Sequence, residues 1–292
     1  MKQNNIINVL EWNLNFGSYD SAEPAKFIGN YIRRSDVAIL TEVRANRALA
    51  DMITDLGYDF IASDDLGGYT NQVVIAAKPE YGLKKISGRL IGANEGPDFL
   101  HGSIEVANEK VNIIGMRVRM ADYPDRYKQV KLARKYISSV MGAIICTGDF
   151  NNGQIRGDED AKYSEVADLY RFRGDSEKLS DLRFYNYHLI KDLFSEKLVI
   201  DEPTGEYSSW GLCKGKNGLI YGWGNRIKND LLFHSRDIKK VSKSRYSWEH
   251  VRRNKKSYLE MIKRNSTRNG NKIDHGYPDH ARLISELLIP CD

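Results

Sequence analysis

Cysteine, proline and long apolar runs are scarce in this sequence. Three cysteines (Cys146, Cys213 and Cys291) are an odd count without metal-ligand spacing, so neither a disulfide framework nor a zinc cage is expected. Seven prolines and the absence of a low-complexity tract argue against a disordered tail protein. No stretch approaches the roughly 18 uninterrupted apolar residues of a membrane-spanning helix. Met1-Lys2-Gln3-Asn4-Asn5 runs straight into a strand-like segment without the apolar core of a signal peptide. The expectation is a soluble, cytoplasmic protein with no membrane partner and no obligate protein partner. What is present suits a substantial core: 292 residues, 41% hydrophobic and 28% charged, with a mean hydropathy of −0.52. No repeat or linker divides it, so one domain over residues 1–292 is expected.

The net charge of +5 is unevenly spread. Residues 236–275 hold 13 Lys and Arg against 4 Asp and Glu, whereas the remainder holds 31 basic and 35 acidic residues. A basic insertion of this kind either meets an anionic partner or is a solvated decoration.

Strand and helix patterns alternate along the chain. Segments 6–12, 37–40, 58–62, 72–77, 103–106, 111–118, 143–146, 230–233 and 281–289 read as strands. Phe27, Ile28, Tyr31 and Ile32 share a helical face after Ser21, and Ala45, Ala48, Leu49, Met52, Ile53 and Leu56 share another before Gly57. A third helix is expected over 126–141, and 161–198 reads as mostly helical. Strands 111–118 and 281–289 are apolar on both alternating faces, as when one face meets another sheet and the other meets helices. A four-layer α/β sandwich fits, although a doubly wound sheet shares that periodicity.

Polar groups recur at the ends of these apolar strands. Asn13 and Asn15 follow the first, Glu42 follows Ala-Ile-Leu-Thr, and Asp149 and Asn151 follow Ile-Ile-Cys-Thr-Gly. Asp230 opens Leu-Leu-Phe, and Asp279-His280 opens the last strand. Each alone is an ordinary turn residue. Together, carboxylates and carboxamides gathered at one edge are hard oxygen donors suited to Mg²⁺.

Leu10-Glu11-Trp12-Asn13-Leu14-Asn15 resembles the opening motif of the endonuclease/exonuclease/phosphatase superfamily, which includes pancreatic-type deoxyribonuclease. Val37-Ala38-Ile39-Leu40-Thr41-Glu42-Val43 resembles its metal-glutamate strand, with Thr41 in place of the usual Gln, and Gln72-Val73-Val74-Ile75-Ala76 its following central strand. Arg126-Tyr127-Lys128-Gln129 resembles its mid-chain Arg-x-x-Gln. Gly148-Asp149-Phe150-Asn151 matches its most specific tetrapeptide without change. Residues 225–232 and Pro278-Asp279-His280 resemble its last two motifs, the first with two extra residues before the aspartate. The matches keep family order from Asn8 to Ile289.

The resemblance implies a deoxyribonuclease-like four-layer α/β sandwich of two mainly antiparallel sheets flanked by helices. It implies that Glu42, with Asn13 and Asp279, would hold Mg²⁺, with Mn²⁺ as a substitute. Asp149, held by Asn151, would orient and deprotonate water, and His280, its tautomer set by Asp230, would contact the phosphate. Arg117 stands where the family places a histidine; a guanidinium clamps phosphate oxygens but does not donate a proton near neutral pH. In the basic insertion, Arg252, Arg253, Lys255 and Lys256 would contact a phosphate backbone, and Trp248 or Tyr246 would stack on bases. The expected function is a Mg²⁺-dependent nuclease, an endonuclease on DNA. Two alternatives stay open: a phosphatase or phosphodiesterase on a small ester such as a nucleotide or inositol phosphate, and a catalytically impaired nucleic-acid-binding scaffold.

Overall fold

The computed structural model describes residues 5–15, 22–43, 47–64, 72–90, 96–119, 123–155, 190, 194–205, 207–214, 220–260 and 278–290. In chain order, strand Ile6–Asn13 (β1) leads through helix Ala22–Ile32 (α1) to strand Val37–Val43 (β2). Helix Arg47–Asp55 (α2) and strands Asp59–Ala62 (β3), Gln72–Ala77 (β4), Lys84–Ser87 (β5), Asp98–Val106 (β6) and Glu109–Arg117 (β7) follow. Helix Tyr123–Ser139 (α3) then connects to the long strand Ala143–Ile155 (β8). The last third holds Leu198–Asp201 (β9), Ser209–Lys214 (β10), Ile220–Ser235 (β11), Lys239–Lys240 (β12), Arg245–Ser247 (β13), the short helix Glu249–Arg253 (α4), and Arg282–Leu288 (β14).

The strands form two mixed, mainly antiparallel sheets. One runs β12-β14-β1-β2-β4-β3, with β13 also on β14; the other runs β10-β11-β8-β7-β6-β5, with β9 also on β11. Alternation along β1 shows how they stack. Ile7 and Val9 join an apolar cluster with Ile113 and Ile145 of the second sheet, while Leu10 and Trp12 join Ile28, Ile32, Leu49 and Ile53 of α1 and α2. A third cluster sets Val130, Ala133 and Ile137 of α3 against Ile114, Cys146 and Phe233. Three buried layers between helix, sheet, sheet and helix make the four-layer sandwich; each buried Leu or Ile contributes about 1.5–3 kcal/mol.

Two parallel pairs break the antiparallel pattern, β1 with β2 through α1 and β7 with β8 through α3. Their carboxyl ends, where ligands gather in sheets of this kind, carry Asn13, Glu42, Arg117 and Asp149. Gly148 permits this edge to form. Its φ is 153°, and a Cβ there would lie 1.8 Å from the Met116 carbonyl oxygen on the neighbouring strand.

Several elements exceed the sequence reading. β6 begins at Asp98 rather than at 103, because His101 inside the strand is buried against Tyr136 (2.8 Å) and Asn112 (3.1 Å). β8 continues past Cys146 to Ile155, and β11 starts well before Asp230 because it pairs with β10 and β8. The helical reading of 161–198 falls largely outside the described residues. Among the described residues, no helix is long and apolar enough to cross a membrane.

Candidate active site

Pairing across the second sheet places three charged residues in a row. Arg117 of β7 is the register partner of Asp149 of β8, and Asp149 is the partner of Asp230 of β11. Asp149 is 1% exposed and held at both oxygens: the Asn151 backbone N–H donates to Oδ1 at 2.8 Å, and Asn13 Nδ2 donates to Oδ2 at 2.7 Å. Burial, reinforced by Asp230 and Glu42 against the attraction of His280 and Arg117, pushes its pKa up to about 7. Asn151, at φ 48°, donates its side-chain amide to the Val118 carbonyl at 2.8 Å, and Arg126 donates to the Asn151 carbonyl at 3.3 Å. Gln129 bonds both the amide and the carbonyl of Arg119, so the Arg-x-x-Gln pair braces the loops beside the site.

His280 approaches from the first sheet, where the chain enters β14 antiparallel to β1. Its Nδ1 pairs with Asp230 Oδ2 at 2.9 Å, and its backbone oxygen accepts from Trp12 Nε1 at 3.1 Å. Burial alone would lower the imidazole pKa, but Asp230, Asp149 and Asp279 outweigh it and hold the ring well above its ordinary value. Asp230 is fully buried, and its Oδ1 has no protein partner. Tyr246, buried between the sheets, spends its hydroxyl on the Asp230 backbone oxygen at 2.5 Å.

Glu42 reaches the site through a backbone irregularity. β2 slips register between Leu40 and Val43 against β4, and Glu42 sits at φ 50°, left-handed geometry that costs a non-glycine residue about 1–2 kcal/mol. Simple alternation after Leu40 and Thr41 would turn Glu42 toward the helices; the bulge turns it to the cleft instead. There its Oε1 accepts Arg117 Nε at 2.9 Å, while Arg117 Nη1 donates to Asp98 Oδ2 at 2.6 Å. The Arg117 side chain is only 12% exposed. Burial lowers the guanidinium pKa, yet Glu42, Asp98 and Asp149 more than compensate, so the net shift is upward. Burial raises Asp98 and Asp279, the latter also through Glu42 and Asp230 against the attraction of His280.

Glu42, Asp149, Asn151, Asp230, Asp279, His280, Asn13 and Arg117 are thus linked by hydrogen bonds or electrostatic coupling at one edge. Two members were not expected. Asp98 opens a strand 19 residues before Arg117, its cross-strand partner, and only that pairing reveals it. Glu11 is fully buried, and burial, with the charges of Asp230 and Asp149, raises its pKa well above the ordinary carboxylate value. Its signal was visible, a charged residue on the inward face between Val9 and Asn13.

The donor set fits a hard divalent cation. The Asp149 and Asp230 carboxylates lie within 4.8 Å of each other, Glu42 and Asp279 couple to them electrostatically, and the buried Asp230 Oδ1 lacks a partner. Burial, with added carboxylate repulsion, lifts Asp149 and Asp279, and a bound cation opposes that shift.

The insertion residues stand apart from this cluster, on the helix side of β1. Arg252 and Lys256 are exposed, Lys255 is half-buried, and Arg253 pairs with Glu249 at 2.6 Å. Trp248 is packed: its ring stacks on His250 at 6.0 Å and its Nε1 donates to the Tyr207 carbonyl at 3.3 Å.

No protein-family model matches the sequence, and no curated protein matches it. Solved structures do. The fold is the deoxyribonuclease-like α/β sandwich shared by proteins of the endonuclease/exonuclease/phosphatase family. An endonuclease/exonuclease/phosphatase family protein from Bacteroides thetaiotaomicron is 15% identical, with a TM-score of 0.58 over 99% of this chain and 97% of that one. An AP endonuclease from Archaeoglobus fulgidus is 12% identical, with a TM-score of 0.58 over 96% and 98%. D. rerio TDP2, solved with a single-strand DNA product, is 13% identical, with a TM-score of 0.56 over 97% and 98%.

Proposed function

We propose that the protein is a Mg²⁺-dependent phosphodiester hydrolase that acts as a nuclease, with DNA as its substrate. One observation carries the reading: Asp149, pushed up to about 7, lies in the sheet between Arg117 on one strand and Asp230, paired with His280, on the other. A carboxylate poised near neutrality takes a proton from water, and cations beside it meet the charge of the pentavalent phosphorus. Asn13 and the Asn151 amide fix both Asp149 oxygens, so the group that receives the proton is already oriented. His280, held by Asp230, places a charged N–H donor at the edge where a phosphate oxygen would lie. Glu42, Asp279 and Asp230 are the residues to hold the cation, which when bound supplies Lewis-acid neutralisation of phosphate charge. The D. rerio TDP2 complex with DNA supports a nucleic-acid substrate on this fold, as does the basic stretch 236–275.

Purified protein incubated with plasmid DNA, RNA and small phosphate esters, with Mg²⁺ or chelator, tests the reading. Expected is Mg²⁺-dependent nicking of plasmid that chelator abolishes and that Asp149→Asn lowers by about 10³-fold. Nicking that persists in chelator, or a fully active Asp149→Asn, would overturn it. Turnover of small esters alone would leave the hydrolase and remove the nuclease.

A further inference from the structure

The two sheets pack tightly just below the active edge. Gly115 of β7 faces β2 and β4 so closely that a Cβ there would lie 2.7 Å from Ile39 Cγ2 and 2.6 Å from Val73 Cγ1. Arg117 comes two residues later on the same face, so it stands opposite the end of β2, where the bulge delivers Glu42. Its Nε donates to Glu42 Oε1 at 2.9 Å, and its Nη1 donates at 2.6 Å to Asp98 Oδ2, on the neighbouring strand. The Arg117, Glu42 and Asp98 side chains are only 12%, 19% and 18% exposed. A planar guanidinium held at two points in such a gap has its orientation fixed, and it fixes that of the Glu42 carboxylate in turn.

That orientation bears on the kind of cation Glu42 can hold. Mg²⁺ demands a near-ideal octahedron with oxygens at about 2.0–2.1 Å, into which the narrow bite of a carboxylate gripping with both oxygens does not fit. Ca²⁺ accepts six to eight oxygens at about 2.3–2.6 Å in flexible geometry, and carboxylates often give it both. With Arg117 on Oε1, a cation gripping both Glu42 oxygens would be pressed against the guanidinium charge; one gripping a single oxygen is spared that repulsion. Asp98 has the complementary part. Two carboxylates share one guanidinium, so the trio stays anionic and Glu42 keeps charge to offer a cation. With Arg117 on Glu42 alone, the two would form a neutral pair.

We propose, on the reading in which Glu42 holds the cation, that Arg117 is a positioning residue that makes the site selective for Mg²⁺ over Ca²⁺ by confining Glu42 to a single-oxygen grip. Asp98 orients Arg117 and preserves the charge of Glu42.

Cation binding without substrate tests this apart from turnover. Mn²⁺ is titrated into the full chain, the bound ion is read by electron paramagnetic resonance, and Mg²⁺ or Ca²⁺ is then added to displace it. From the wild type, Ca²⁺ is expected to be at least about tenfold the weaker competitor. Arg117→Met keeps an unbranched chain but removes the charge and the donors; it should abolish that preference, a shift of about tenfold or more, as when a hydrogen-bond partner of a metal ligand is lost. Arg117→Lys, which keeps the charge without the fork, should restore part of it. Asp98→Asn should weaken both cations together by about tenfold, moving affinity rather than preference. A role confined to stability would move Tm and leave the ratio alone. Ca²⁺ displacing Mn²⁺ from the wild type as readily as Mg²⁺ does would overturn the inference while leaving cation-dependent hydrolysis intact, and that comparison does not depend on any variant folding. An unchanged ratio in folded Arg117→Met would do the same. A wild-type chain that binds no Mn²⁺ at all would overturn the cation-dependent hydrolase and this inference with it.

Discussion

Two buried histidines lie on either side of Trp12, and their surroundings push them in opposite directions. Trp12 donates to the backbone oxygen of His280 at 3.1 Å, and its ring is 5.0 Å from that of His250. His280 stands among Asp230, Asp149 and Asp279, whose charges outweigh burial and raise its pKa well above the ordinary value. His250 stands among the rings of Trp12, Tyr31, Trp248 and Tyr258. There burial, aided by the Arg282 charge, holds its pKa down to about 3. Desolvation opposes the charged form in both places; the neighbours decide the outcome. Carboxylates favour the charged form of one ring, and burial among aromatic faces favours the neutral form of the other.

Breaking the charged member should have the largest effect. His280→Ala is expected to lower kcat/KM by about 10³-fold. Asp230→Asn, which removes the first of the charges sustaining the imidazolium, should fall in the same range and shift the pH–rate profile to lower pH on the side governed by His280. Steady-state kinetics with thermal melts would check both. Wild-type rates in folded His280→Ala would mean that its raised pKa is a structural by-product.

The neutral member predicts a smaller effect of a different kind. Its folded pKa of about 3 lies below the ordinary 6.5, so between those values the unfolded chain binds a proton that the folded chain does not. Stability therefore rises with pH through that window and is lost as pH falls, by up to about 1.4 kcal/mol per pH unit. His250→Phe keeps the ring packing and removes the proton. Urea unfolding at pH 7, 6, 5 and 4 should show the variant gaining on the wild type as pH falls, with activity near wild type at pH 7. Parallel curves would show that His250 is protonated in the fold.

The contrast also explains what could be read from the sequence. Asp149, Asn151 and Glu42 were legible because each interrupts an apolar run at a strand end, where a buried polar group needs a reason. The sandwich was legible from strands apolar on both faces, such as the one ending in Arg117. The short strands Lys84–Ser87 and Lys239–Lys240 were not, because exposed lysines carry no alternation and become strands only by pairing with β6 and β14. Asp98 was hidden for the same reason: its meaning lies in a partner on another strand. Trp248, read as a base-stacking residue among basic neighbours, packs toward the layer of Val251 and Tyr258, its ring stacked on His250.

The smallest predicted effect follows from that packing. His250 and Val251 anchor α4 in the aromatic layer, Asn254 donates to Tyr31 at 3.0 Å, and Tyr258 donates to the Pro278 carbonyl at 2.7 Å, two residues from His280. The anchoring holds exposed Arg252 and Lys256 on a fixed support joined to the active edge. Arg253 shares its charge with Glu249 and Lys255 is half-buried, so Arg252 and Lys256 are the pair to reverse. If they touch a DNA backbone, Arg252→Glu with Lys256→Glu should weaken binding about tenfold at moderate salt. The log–log salt slope should flatten by about 0.7–0.9 for each phosphate that is no longer neutralised. Hydrolysis of a small phosphodiester should be untouched, since it meets only the residues around Asp149. A salt titration of DNA binding, run beside the small-ester assay, measures both. An unchanged slope would leave these charges as solvating decoration and confine recognition to the edge where His280 lies.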